Sequence, residues 1–388
     1  MSQSDWVSWN YPTAIKVGTG RQREMPVHCK AMMMRSPLVV TDPGLAALPL
    51  LTDARQMLRD AGLRADLFSQ IKGNPTGHNI DDGVAAYRAG QHDGVIAFGG
   101  GSALDAGKAI ALMVGQNRPL WDFEDVGDNW TRVDIAGMAP VIAVPTTAGT
   151  GSEVGRVSVI TDETAQLKRF IFHPKVMPPL VILDPEVTVG LPPMLTAATG
   201  MDALSHSLEA YCSPFFHPLA VGVAIEGMRL VKQWLPTAVR EGGNLPARLH
   251  MLVASTMGAT AFQRGLGAMH ALAHPLGAVY DAHHGMLNAV LMPYVLKANE
   301  QVIAERITAL SRYLDLPNPS FASFLDFVLQ MREELGIPHT LAALGIDDRQ
   351  VKRIGVMAFA DPSAGTNPIP FTADEYAELC RRSIVGLL

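Results

Sequence analysis

The chain has 388 residues, of which 48% are hydrophobic and 18% charged, with a formal net charge of −6. That length points to two domains and a globular composition, with no run near the ~18–20 apolar residues of a bilayer span. Mild acidity without a basic stripe argues against a nucleic-acid partner.

The opening residues, M-S-Q-S-D-W-V-S-W-N, show neither a basic n-region nor an apolar h-region, so secretion is not expected. A short strand, A-I-K-V, is predicted between Tyr11 and Gly20, closed by a glycine turn. Pro37–Thr41 (P-L-V-V-T) reads as a buried parallel strand stopped by Asp42-Pro43-Gly44. Helical spacing follows at Leu51, Ala54, Leu58 and Ala61. The pattern then recurs: a segment around Asp66–Ile71, a helix over Ile80–Ala89, a strand over Gly94–Phe98, a glycine loop at Gly99–Ser102 and a helix over Ala103–Val114. Pro140–Val144 and Val181–Leu183 are further buried-strand candidates. Strand, loop and helix in alternation predict a parallel α/β sheet.

After Leu191-Pro192-Pro193 the strand-like runs almost vanish. Helical periodicity dominates at 220–235, 246–262, 287–305, 321–335, 348–360 and from Thr372 onward. Paired prolines resist both helix and ladder, so the boundary is placed there. The expected layout is an α/β domain over 1–190 and an all-helical domain over 191–388.

Three stretches carry chemistry. In G-V-I-A-F-G-G-G-S-A-L-D-A-G-K (94–108), a strand runs through glycines into a helix, whose free N–H groups suit a phosphate. Leu104 stands where the usual dinucleotide fingerprint has its third glycine, so this is no ordinary Rossmann turn. In P-T-T-A-G-T-G-S-E-V (145–154), Thr146, Thr147, Thr150 and Ser152 offer hydroxyls after another strand. Asp42, at the end of the first central strand, can accept from a ribose diol and would repel a 2′-phosphate, favouring NAD over NADP; it can equally be a plain turn residue.

The third stretch is the metal constellation. Asp202 and His206 are four apart in a helical segment, and His270 and His274 repeat that spacing, with His283 and His284 beyond. A lone helical histidine is usually a hydrogen-bonded core residue, but four within fifteen residues beside an Asp-x-x-x-His helix are not explained that way. Imidazoles with one carboxylate and no thiolate suit Fe²⁺ or Zn²⁺, either of which would act as a Lewis acid on a substrate oxygen. Adjacent His283 and His284 point different ways, so at most one of them coordinates. Cys29, Cys212 and Cys380 are scattered, odd in number and without C-x-x-C spacing, which argues against a disulfide framework and suits a reducing cytoplasm.

G-G-G-S-A-L-D-A-G-K, P-T-T-A-G-T-G-S-E-V, G-M-D-A-L-S-H-S-L-E-A-Y and H-A-L-A-H-P-L-G-A-V-Y-D-A-H-H-G together resemble the iron-containing (group III) alcohol dehydrogenase family over nearly the whole chain. The resemblance implies a dinucleotide-binding α/β domain and a helical metal-binding domain, the architecture shared with dehydroquinate-synthase-like enzymes, with the site in the cleft between them. It implies Asp202, His206, His270 and His284 as metal ligands, His274 near the nicotinamide as a proton relay, and no ligand role for His283. The matching cofactor positions are Asp42, Asn74, Gly100, Gly101, Ser102, Thr146, Thr147 and Lys168. The implied activity is reversible hydride transfer between a small alcohol or hydroxy acid and NAD, with the alkoxide held by the metal. A homodimer paired through the N-terminal strand is expected, as in relatives. Other readings are a metal-independent, maleylacetate-reductase-like enzyme, and an NAD- and metal-dependent cyclase or lyase of the same fold.

Two departures stand out. Asn367-Pro368-Ile369-Pro370 replaces the N-P-R-P of many relatives, and Gly155 followed by Arg156 replaces a common Thr. Arg156 and Arg264 would favour an anionic substrate if they reach the cleft; as most arginines are exposed, solvated positions are the expectation.

Overall fold

The computed structural model describes Tyr11 and residues 13–388, so the N-terminal leader reading falls outside the described residues. In chain order the strands are β1 (Ala14–Val17), β2 (Pro37–Val40), β3 (Asp66–Phe68), β4 (Gly94–Gly99), β5 (Val141–Pro145), β6 (Val157–Asp162), β7 (Leu167–Phe172) and β8 (Leu180–Leu183). The helices are α1 (Met25–Ala31), α2 (Pro43–Ala46), α3 (Pro49–Asp60), α4 (Gly77–Ala89), α5 (Gly101–Met113), α6 (Pro193–Cys212), α7 (Pro218–Arg240), α8 (Leu245–Ala261), α9 (Ala268–Tyr280), α10 (His284–Tyr313), α11 (Phe321–Glu334), α12 (Val351–Ala360) and α13 (Ala373–Val385). One compact unit comprises Pro12–Thr147 and Gly151–Gly190; the other comprises Ala148–Thr150 and Leu191–Leu388.

In the first unit, six strands form a parallel sheet in the order β1-β8-β5-β4-β2-β3. Every residue of β2, β4, β5 and β8 is buried. Their unbroken apolar runs follow from a sheet covered on both faces. The chain passes from β2 outward to β3, then back across β2 to β4. That reversal is the switch point at which open parallel sheets bind ligands, beyond the strand carboxyl ends. Asp42 follows β2 there, and the glycine loop follows β4. The sequence reading passes over 157–172, which folds as an antiparallel hairpin of β6 and β7. Its turn is held by Asp162, whose Oδ1 accepts from the Thr164 and Ala165 N–H groups, each at 3.0 Å.

In the second unit, Pro192 and Pro193 stand at the N-terminus of α6, where a missing N–H is harmless. From Thr196 to Cys212 every residue of α6 is buried. A helix buried all round belongs at the centre of a bundle. Its main partners within the unit are α7, α8 and α10. No helix among the described residues is long and apolar enough to cross a membrane.

Candidate active site

In the helical unit, the expected ligands converge. One donor atom from each of Asp202, His206, His270 and His284 lies within 4.8 Å of every other. Two come from one face of α6, one from α9 and one from the first turn of α10. The Asp202 Oδ1 atom is 4.0 Å from His206 Nε2 and 3.7 Å from His284 Nε2. A tetrahedral site with bonds of ~2.1 Å has edges of roughly 3.4 Å, so these two edges are within a few tenths of an ångström of that geometry. The His206 and His270 rings stack at 4.8 Å, which holds both edges toward the same point.

The donor chemistry fits a cation. Burial pushes His206 down to about 4, outweighing the pull of Asp202, so its imidazole is neutral and free to ligate. The amide N–H group of Asn288 reaches three of these inward atoms. Its Nδ2 lies 2.8 Å from Asp202 Oδ1, 3.1 Å from His270 Nε2 and 3.2 Å from His284 Nε2. Two N–H bonds cannot serve three acceptors fully, and the buried Asn288 Oδ1 has no hydrogen-bond partner. An acceptor-rich, donor-poor ring of this kind is what a divalent ion satisfies.

Behind the ring stand two carboxylates that the sequence reading does not single out. Glu209 accepts from His270 Nδ1–H at 2.7 Å, and Asp361 accepts from His274 Nδ1–H at 2.8 Å. For His270, burial disfavours the charged ring, but the hydrogen bond and charge of Glu209 outweigh it and raise its pKa. For Asp361, burial raises the carboxyl, and His274 more than offsets this, leaving it below the ordinary range. His274 lies parallel to His284 at 5.4 Å and is not one of the four clustered donors. His283 instead caps α10: its Nδ1 accepts from the Met286 N–H at 3.3 Å.

The loops of the α/β unit are tied to one another. Gly99 has φ +157°, and a side chain there would meet Ala103 Cβ at 2.7 Å, so the strand can enter α5 only through glycine. Gly100 lies against Thr147, with its Cβ position 3.2 Å from Thr147 Cγ2. Helix α5 begins at Gly101, so Ser102 is a first-turn residue rather than a loop residue, and its hydroxyl donates to the Gly73 carbonyl beside Asn74. Asp42 Oδ1 caps α2 by accepting from the Leu45 N–H at 2.9 Å, so the turn role is real at this position. Lys168 lies in β7, paired in register with Thr161. A further link comes from buried Lys108, whose ammonium donates to Ser152 O at 2.9 Å and Val157 O at 2.6 Å and sits 3.2 Å from Asp105. The D-x-x-K spacing inside 94–108 was the available signal for that bridge between the two loops.

Of the two arginines, Arg264 departs from the solvated position expected of it. Arg264 is buried, 4% exposed, not solvated. Its guanidinium donates to Ala210 O, Tyr211 O and Phe215 O, and Arg306 donates to Tyr211, Cys212 and Ser213 carbonyls. Both close the C-terminal end of α6, where the helix dipole favours cations. Arg156 stacks over the Phe172 ring at 5.8 Å. Asn367, in the altered N-P-I-P segment, pairs with Asn299 and accepts from the Ala268 N–H at the start of α9.

Comparison with known proteins identifies the family. The family model for iron-containing alcohol dehydrogenase matches residues 12–185, and that for the Fe-containing alcohol dehydrogenase family, C-terminal, matches 196–384. The chain is 36% identical to 4-hydroxybutyrate dehydrogenase of Cupriavidus necator, across 96% of this chain and 99% of that protein. It is 32% identical to the NAD-dependent methanol dehydrogenase of Bacillus methanolicus, across 96% and 98%. A crystal structure of 1,3-propanediol oxidoreductase superposes with a TM-score of 0.92 at 32% identity, covering 97% of this chain and all of that one. The chain belongs to the iron-containing alcohol dehydrogenase family, whose members are oxidoreductases acting on CH–OH groups.

Proposed function

We propose that Asp202, His206, His270 and His284 hold a divalent cation, Fe²⁺ first and Zn²⁺ as its alternative, for NAD-linked oxidation of a small alcohol or hydroxy acid. The observation that carries this reading is the convergence of four inward donors, three of them buried, around the Asn288 amide. The bound ion supplies Lewis-acid polarisation of the alcohol oxygen. NAD, when bound, would supply the hydride acceptor for the carbinol carbon, and NADH the hydride for the reverse reduction of an aldehyde. Asp361 holds His274 through its Nδ1–H, and the Nε2 of that ring takes the hydroxyl proton and passes it on. Gly100, Gly101 and Ser102 at the start of α5 present free N–H groups to the pyrophosphate, with Thr146 and Thr147 alongside. Asn74 and Lys168 complete that surface, and Asp42 faces the ribose diol, which favours NAD.

Methanol, 1,3-propanediol and 4-hydroxybutyrate appear in the names of three relatives and support a small substrate, while another relative is named for long-chain alcohols. Arg264 offers no charge to a substrate carboxylate, because the α6 carbonyls occupy it. A homodimer through β1 is part of the same reading: among the described residues β1 is an edge strand, bonded on one side to β8. Cytoplasmic residence is supported by three buried thiols. The test is a panel of short alcohols, diols and hydroxy acids incubated with NAD, with and without chelator. NADH formation that chelation abolishes is expected; NADH from none of them would sink the dehydrogenase assignment.

A further inference from the structure

Glu209 lies seven residues after Asp202 and three after His206, so all three share one face of α6. Its side chain is buried and accepts three hydrogen bonds, all from the α9 end. These come from the Gly267 N–H at 2.8 Å, the Met269 N–H at 2.7 Å and His270 Nδ1–H at 2.7 Å. Gly267 is the N-cap of α9 and brings no side-chain cap of its own. The carboxylate of a neighbouring helix therefore serves as the cap of α9 and as the partner of the first histidine on it.

We propose that Glu209 is the positioning residue that sets the cation affinity of the donor ring; the inference rests on the divalent-cation reading given above. An imidazole can ligate through either nitrogen, and the partner of the other nitrogen decides which. With Nδ1–H committed to Glu209, His270 presents the Nε2 lone pair inward, beside Asp202 Oδ1 and His284 Nε2. The two backbone bonds fix where α9 begins, and so fix the height at which His270 enters the ring. Charge adds to geometry. Asp202 alone balances half of a divalent ion, and Glu209, one imidazole behind it, supplies the second negative charge in a region closed to water. A glutamine in its place keeps the shape but has one acceptor oxygen for three donors, and its amide N–H groups would face N–H groups.

The test is a Co²⁺ titration of chelator-stripped protein, followed by visible d–d absorbance, on wild type and Glu209→Gln. Co²⁺ affinity should fall about 10–100-fold in the variant, the range for loss of a partner behind a ligating histidine. NADH affinity, read by fluorescence, should not move. A variant that binds Co²⁺ within about twofold of wild type overturns the inference. Wild type that binds no Co²⁺ defeats the cation reading itself, whereas a wild-type site with an unchanged variant defeats only the role of Glu209. Because the variant can misfold, long-range ¹H–¹⁵N spectra of the zinc-loaded wild type, labelled at histidine, give a second check. His270 protonated at Nδ1 and ligated through Nε2 is expected; the opposite arrangement overturns the inference.

Discussion

A methyl group at position 285 should pry open one side of the donor ring. Gly285 sits in the first turn of α10, next to His284, with its Cα turned onto α6. A Cβ there would lie 2.5 Å from Ala198 O, 3.1 Å from Ala198 C and 3.1 Å from Asp202 Cβ. Ordinary contacts begin at 3.4 Å, so the start of α10 would have to retreat by roughly 0.9 Å. The nearest obstacles are backbone atoms of a buried helix, which cannot swing aside as a side-chain tip can. His284 moves with that turn, and its 3.7 Å separation from Asp202 widens. Overpacking of this kind destabilises by about 1–3 kcal/mol, or roughly 2–4 °C of Tm per kcal/mol for a unit of this size. Displacing one ligand should also cut cation affinity about tenfold or more. The assay is thermal unfolding and Co²⁺ titration of Gly285→Ala beside wild type. A variant with unchanged Tm and unchanged affinity would refute both the close approach of α10 to α6 and its connection to the ring.

Asp361→Asn should lower kcat for alcohol oxidation about tenfold or more while leaving the alcohol KM close to wild type, because it disturbs the orientation of His274 rather than binding; steady-state kinetics across pH checks this, and equal fractional changes in both parameters would contradict it. Burial pushes all three cysteine thiols up to about 12, so none should react with a thiol reagent in the native protein, and all three should react after denaturation. Asp162 is held below its ordinary range, first by the Ala165 N–H and further by Arg169 and the Thr164 N–H. Its stabilising contribution is therefore present above the unfolded carboxyl pKa and is lost as pH falls through the depressed folded value. Wild type and Asp162→Asn should thus differ in urea midpoint at neutral pH and converge in acid; a constant gap would show that the carboxylate charge plays no part.

The alternation of strand and helix was legible because fully buried parallel strands such as P-L-V-V and V-I-A-V leave an unbroken apolar signal. The long helices after Leu191 were legible because their apolar periods are equally plain. The hairpin 157–172 was not, since its faces are mixed and its turn depends on one Asx interaction at Asp162. At the site, the clustering of Asp202, His206, His270 and His284 could be anticipated from helical spacing and from residue types that have few other uses together. Their supporting groups could not. Glu209 looks like an ordinary helical glutamate until α9 is packed against it, and Asp361 is 87 residues from the histidine it holds. Arg264 shows the limit in the other direction: an arginine near a metal motif invites a substrate role, whereas the open carbonyls at the end of α6 claim it. Pairings across the fold decide such cases, and a single sequence does not write them down.

The most direct test of the central claim is NADH formation by chelator-stripped enzyme given a good alcohol substrate, before and after adding back Fe²⁺ or Zn²⁺, in wild type and His206→Ala. Stripped wild type should be inactive and regain its rate when the ion is restored, and the variant should not respond. Full activity in stripped wild type, with no response to added ion, would contradict a cation held by Asp202, His206, His270 and His284 as the centre of this enzyme's chemistry.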